Sequence, residues 1–332
     1  MSILLLILLA IVLGAVIWLA LQPSAYKVER SRVMNVTADQ VYREVADFKH
    51  WIGWSPWLMH EKGASIVNGD ITDQVGGWYS WDGKHVGAGK MTHASLTENE
   101  AIEQNLEFTS PMKSESTVYW RFNPAGEGET EVTWGMHGTL PFHMRWMARM
   151  MDQWVGKDYE LGLDKLAMQS GDTRTAYDIE FLEDVETQSE NYIGLHYAGD
   201  FDGMKAAMQE AFPKLTELVQ KESLDVTGPA FTLYHNFDVK KQKVICDMVL
   251  PVKEPREIDG FVSGTLLGDS YTRTRLTGDY RHLEMAWYAA FANARMYKKK
   301  IRMSKPMIER YLNSPQDTAA DDLQTYIDLP LK

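Results

Sequence analysis

Near the C-terminus, the stretch Pro306-Met-Ile-Glu309-Arg-Tyr311 sets a carboxylate and a phenol two residues apart in a short apolar run. In an extended strand that spacing puts both side chains on one face. A carboxylate among apolar groups costs free energy unless a cation or hydrogen-bond donors compensate it. Two environments fit these residues. Glu309 is either the solvent side of an edge strand, paired with Arg310 or a neighbouring lysine, or an acid set in a pocket.

Other reactive side chains form no pattern. His50, His60, His85, His93, His137 and His143 are scattered, and none shows the His-Glu-x-x-His spacing of a helical metal site. Cys246 is the only cysteine, so no internal disulfide and no thiolate cluster can form. The glycines of "VGAGKM" lack the spacing of a phosphate loop, and no G-x-S-x-G elbow is present. Neither a metal nor a cofactor is expected.

The 332 residues suit two domains, and 45% hydrophobic with 24% charged residues is the balance of a folded protein. A net charge of −12 argues against a nucleic-acid partner. The one basic cluster, Lys298, Lys299, Lys300 and Arg302, is explained by a solvated helix end. Residues 3–21 carry no charge. At ~1.5 Å per residue they reach roughly 28 Å, which predicts a transmembrane anchor over residues 1–25. Lys27, Arg30 and Arg32 follow it, so the positive-inside rule favours a cytoplasmic body on a bacterial-type inner membrane, with the periplasm as the alternative.

From Tyr26 the pattern predicts a strand, a helix entered at Thr37 with Gln40 completing a capping box, and six short strands between 64 and 139. Helical spacing of Met147, Met151, Trp154, Leu161 and Leu166 predicts one long helix over 142–169. Nine of the eleven tryptophans lie between Trp51 and Trp154. They either line a cavity or pack a core. The segments "VADFKHWIGWSPW", "WDGKHVGAGKMT", "EFTSPMKSESTVYWRF", "ETEVTWGMHG" and "WVGKDYELGLDKL" resemble the polyketide cyclase/START-like superfamily, the helix-grip fold known as SRPBCC. That resemblance covers 26–169 and implies an antiparallel sheet around a long helix, with hydrophobic ligands between them.

A polar linker is expected at 170–174, and 175–332 reads as β-α-β-β twice: strand 175–184, helix 200–222, strands 229–236 and 243–251, then strand 269–277, helix 281–300, strands 306–312 and 324–330. "GPAFTLYHNFD", "GDYRHLEMAWYAAF", "PMIERYLNSP" and "DLQTYIDLPLK" resemble the GyrI-like small-molecule-binding family, the module also found as the effector domain of AraC-type regulators. The overall class is α+β. The resemblance implies a pocket with Glu309 at its base beside Tyr311, and walls from Tyr234, Tyr280, Trp287 and Tyr288. In those regulators a DNA-binding domain accompanies the module. Here a START-like domain stands beside it, so a transcriptional role does not carry over.

Three functions follow. The first is a membrane-tethered receptor or sequestering protein for hydrophobic, possibly cationic small molecules. The second is a hydrolase of electrophilic xenobiotics, with Glu309 as general base and Tyr280 orienting water. The third is lipid handling through the START-like cavity, or a scaffold whose cavities are filled. Composition is silent on oligomeric state.

Overall fold

The computed structural model describes residues 3–238 and 241–332, with the backbone alone at Leu4 and Thr175. The chain divides into two compact units, one ending at Thr175 and the other starting at Ala176.

Unit 1 opens with helix α1 (Ile3–Ala20), 18 residues long, whose apolar side chains are exposed almost throughout. It measures about 27 Å, short of the ~30 Å hydrocarbon core, because Leu21 already lies in a turn. Among the described residues no helix is long and apolar enough to cross a membrane. The expected anchor over 1–25, and the single-pass inner-membrane placement built on it, are therefore corrected. Met1 and Ser2 of that segment lie outside the described residues.

After α1 come β1 (Ala25–Met34), α2 (Ala38–Ala46), α3 (Trp51–Trp54), β2 (Ser65–Asn68), β3 (Trp78–Gly83), β4 (Gly87–Thr97), β5 (Ala101–Ser110), β6 (Ser114–Gly126), β7 (Glu129–Thr139) and α4 (Met151–Gln169). The Gln40 side chain accepts from the Thr37 backbone N–H at 2.9 Å, closing the start of α2. The strands form one antiparallel sheet in the order β1-β7-β6-β5-β4-β3-β2. Alternate residues of its strands, among them Val118, Trp120, Val132 and Trp134, are buried together with Tyr159, Leu163 and Leu166 of α4. The long helix expected from 142 is shorter. Phe142–Met147 winds as a tighter 3-10 turn before α4 begins.

Unit 2 comprises β8 (Tyr177–Phe181), β9 (Val185–Glu186), β10 (Glu190–Asp200), α5 (Phe201–Glu222), β11 (Phe231–Asp238), β12 (Lys243–Pro251), β13 (Val262–Leu266), β14 (Ser270–Gly278), α6 (Leu283–Met296), β15 (Met307–Tyr311) and β16 (Gln324–Pro330). The sheet runs β13-β10-β12-β11-β15-β16-β14-β8, with β9 beside β14. The two β-α-β-β repeats are β10-α5-β11-β12 and β14-α6-β15-β16. Their strand orders mirror each other about the central pair β11 and β15.

Two expectations change here. The strand before α5 is Glu190–Asp200, whereas Tyr177–Phe181 pairs with β14. β13 is a further strand that sequence reading passed over. In "ENYIGLHYAGD" two glycines interrupt the alternation that marks a strand. One of them, Gly199, leaves room for the Tyr197 ring, whose hydroxyl would lie 2.3 Å from an added Cβ.

Candidate functional site

Strand β15 lies inside the sheet, bonded to β11 on one side and β16 on the other. Glu309 is therefore not on an edge strand, and only 2% of it is exposed. Alternation puts Met307, Glu309 and Tyr311 on the face covered by the helices, while Ile308 and Arg310 point the other way. Register sets Thr232 of β11 directly opposite Glu309, and Tyr234 lies two residues along on the same face.

Two neutral donors converge on the carboxylate. The Trp287 indole N–H of α6 donates to Oε2 at 2.6 Å, and the Tyr311 hydroxyl donates to Oε1 at 2.6 Å. The Tyr234 hydroxyl on the same face helps to hold the carboxyl down as a further polar neighbour. Behind Tyr311, the Thr232 hydroxyl lies 2.9 Å from the phenol oxygen, and either can donate. No lysine, arginine or histidine among the described residues pairs with Glu309. Burial pushes its carboxyl above the ordinary value, and the bonds from Tyr311 and Trp287, with the Tyr234 hydroxyl, hold it back. Burial and the Glu309 charge push the Tyr280 phenol up to about 12 and raise Tyr234 and Tyr311 well above 10.

Aromatic rings enclose the group. Tyr234 meets Trp287 edge to face at 5.3 Å, and Phe212 of α5 meets Tyr311 at 5.5 Å. Tyr280 sits 5.6 Å from the Tyr311 ring, with no hydrogen bond to Glu309. Phe237 and Phe291 extend the wall at 6.5 and 6.2 Å from Trp287. Of the sequence candidates, Tyr311 and Trp287 bond the carboxylate, Tyr234 packs against Trp287, and Tyr280 stands one ring away. Tyr288 is half-buried and lies about 100° round α6 from Trp287, so it does not share that contact. Sequence reasoning missed Thr232, Phe212, Phe237 and Phe291. The period of two from Tyr234 marks Thr232, and the helical period of four from Trp287 marks Phe291; Phe212 and Phe237 had no such local signal.

Two cavities are described, about 320 Å³ beside Glu257, Asp259 and Phe261, and about 160 Å³ beside Phe48, Trp51 and Tyr79. Glu309 lines neither. The surrounding rings leave Glu309 2% exposed.

The opposite face of the sheet is chemically different. Arg310 does not pair with Glu309; it bonds Glu190 at 2.7 Å and lies over the Phe231 ring. Arg273 grips Asp328 through two bonds of 2.7 Å. Asp247 accepts from His196 and His235, each at 2.7 Å, and the Asp247 charge raises the His235 imidazole. Of the basic cluster, Lys299 pairs with Asp184 and Arg302 with Asp269.

In unit 1 the rings stack on one another. Trp120 lies 4.6 Å from Trp134, and Trp134 lies 4.0 Å from Tyr159, both pairs near parallel. Trp51, Trp54, Trp120 and Trp134 are at most 1% exposed. Three of these indole donors are spent internally, Trp51 on the Val45 carbonyl, Trp54 on the Glu44 carbonyl and Trp120 on Gln104, while the Trp134 N–H has no hydrogen-bond partner among the described residues. Gly162 of α4 passes so close that an added Cβ would lie 2.6 Å from the Trp134 ring. Trp57 and Trp81 are half-buried at the margin of this core, and Lys90 covers Trp78.

Residues 25–171 match the family described as polyketide cyclase / dehydrase and lipid transport, and residues 176–332 match the GyrI-like small molecule binding domain. None of the curated proteins compared with the chain matches it. Among solved structures, the EcmrR C-terminal domain is 15% identical, covering 47% of this chain and 98% of its own, with a TM-score of 0.40. SAV2435 bound to tetraphenylphosphonium is 14% identical over 46% of this chain and 94% of its own, at 0.37. CalU16 from Micromonospora echinospora is 15% identical over 44% and 76%, at 0.32. Likeness of that size carries no argument about what this chain binds.

Proposed function

We propose, for a chain made of a polyketide cyclase-type domain followed by a GyrI-like small-molecule-binding domain, that unit 2 is a receptor or sequestering site for a hydrophobic organic cation. Glu309 is the counter-charge, and Tyr234, Trp287, Tyr280 and Tyr311 are the walls. The observation that carries this reading is a buried carboxylate met only by neutral donors inside an aromatic shell. A cation supplies the missing charge, and ring faces attract it further. For unit 1 the stacked rings favour a filled core over lipid handling, because Trp120, Trp134 and Tyr159 already occupy the space between sheet and α4.

The test is a thermal-shift and affinity series on the full chain with tetraphenylphosphonium and a neutral tetraphenyl compound of the same shape. Saturating cation raises the midpoint; at 100 times Kd, binding stabilises the folded state by about 2.7 kcal/mol. Glu309→Gln weakens the cation about 10- to 100-fold, as expected for losing a charged partner. The neutral compound changes by less than about threefold. Equal weakening of both sinks the counter-charge reading.

A further inference from the structure

Two hydroxyls behind Glu309 give its proton a defined place. The indole N–H of Trp287 can only donate, so Oε2 must remain an acceptor whatever the charge of Glu309. Tyr311 faces the other oxygen, and a phenol both donates and accepts. With Glu309 ionised, Thr232 donates to Tyr311 and Tyr311 donates to Oε1. With Glu309 protonated on Oε1, the order reverses: Oε1–H donates to Tyr311, and Tyr311 donates to Thr232, with no heavy atom moved. The site is thus built to hold the acid in either state.

Among the described residues, nothing near Glu309 supplies the charge that would keep the carboxylate ionised. Facing it are Tyr234 of β11, Cys246 of β12, Tyr311 of β15, Tyr280 before α6, and Thr325 and Ile327 of β16. All are uncharged at neutral pH. The charged residues Lys205, Glu210, Lys214 and Glu217 of α5 and Glu284 and Arg295 of α6 are exposed. An uncompensated buried carboxylate takes up a proton instead of remaining charged.

Resting on the cation-receptor reading above, we propose that the closed pocket holds Glu309 as the neutral acid, with its proton on Oε1, and that an entering cation takes the place of that proton. The neutral acid and a free cation become a carboxylate–cation pair and one proton released to solvent, so the buried charge is zero before and after. The upward direction of the Glu309 carboxyl agrees with this. Cation capture is then coupled to pH. Where the acid is protonated, apparent affinity rises about tenfold per pH unit, and it levels off once the free site has ionised.

The experiment is calorimetric titration of the full chain with tetraphenylphosphonium, in pairs of buffers with different ionisation enthalpies, from about pH 5 to about pH 8. Expected is a release approaching one proton per cation at the acidic end, abolished in Glu309→Gln. Infrared difference spectra on adding the cation supply a second reading that needs no variant: the C=O stretch of a protonated carboxyl disappears. Cation binding with pH-independent affinity, no proton release and no carboxyl loss overturns the proposal and leaves the receptor reading standing. No binding of this cation or of a second lipophilic cation at any pH overturns both.

Discussion

Units 1 and 2 both wrap an antiparallel sheet around aromatic side chains, yet they use the rings oppositely. In unit 1, Trp120, Trp134 and Tyr159 stack on one another, and the indoles of Trp51, Trp54 and Trp120 spend their N–H groups on protein acceptors. That is a core of rings closed on one another, in which the buried Trp134 N–H alone of these four indoles finds no hydrogen-bond partner among the described residues. In unit 2 the rings surround a carboxylate, and one indole N–H is spent on it. The difference teaches that ring density does not mark a site. What marks a candidate site is a buried ionisable group that the protein leaves without an opposite charge.

The sharpest way to break this contrast is to remove a ring from each unit. Trp134→Ala removes a fully buried side chain wedged against Gly162 and costs about 3–5 kcal/mol, read by denaturant unfolding. Trp287→Ala removes a half-buried ring and costs about 1–2 kcal/mol. If the two losses are equal, or their order is inverted, Trp287 is structural core and the contrast fails.

Next come two of the buried acids of unit 2, Asp328 and Glu309. Asp328 is gripped by Arg273 with 1% of its side chain exposed, so Asp328→Asn leaves a half-buried guanidinium without its counter-charge and costs about 3 kcal/mol. Glu309→Gln, by contrast, imitates the neutral acid: its carbonyl accepts from Trp287 and its amide donates to Tyr311. It changes stability by about 1 kcal/mol or less near pH 5. A large loss in both variants would show that Glu309 is ionised in the same way as Asp328.

The smallest effect is a slope. A carboxyl whose folded-state pKa is raised binds its proton more tightly folded than unfolded. Its stability contribution is full below the unfolded value of about 4.3 and falls as pH rises towards the raised one. Glu309→Gln removes that fall, so the variant gains on the native chain as pH climbs through this window. Parallel stability curves for the two proteins would count against a protonated Glu309.

Much of unit 2 was legible because its signals are local. "FTLYHNFD" and "MIERY" alternate, so β11 and β15 and the shared face of Glu309 and Tyr311 follow from a period of two. β10 was not legible, because Gly194 and Gly199 break the alternation and the strand is held by β12 and β13, both distant in sequence. α1 shows the same limit from the other side. Apolar composition is local, but the helix ends at Ala20 and the expected span does not form.

By itself the sequence determined two α+β halves, the aromatic richness of the first, and a glutamate with a tyrosine on one face of a late strand. Only the tertiary structure decided that β15 is central, that Thr232 stands opposite Glu309, and that Trp287 reaches its carboxylate. It also decided that Arg310 turns to Glu190 instead. The physical reason is that side-chain direction follows from neighbouring residues along the chain. Burial, charge pairing and the choice between cavity and core depend on which distant strands and helices close over that side chain.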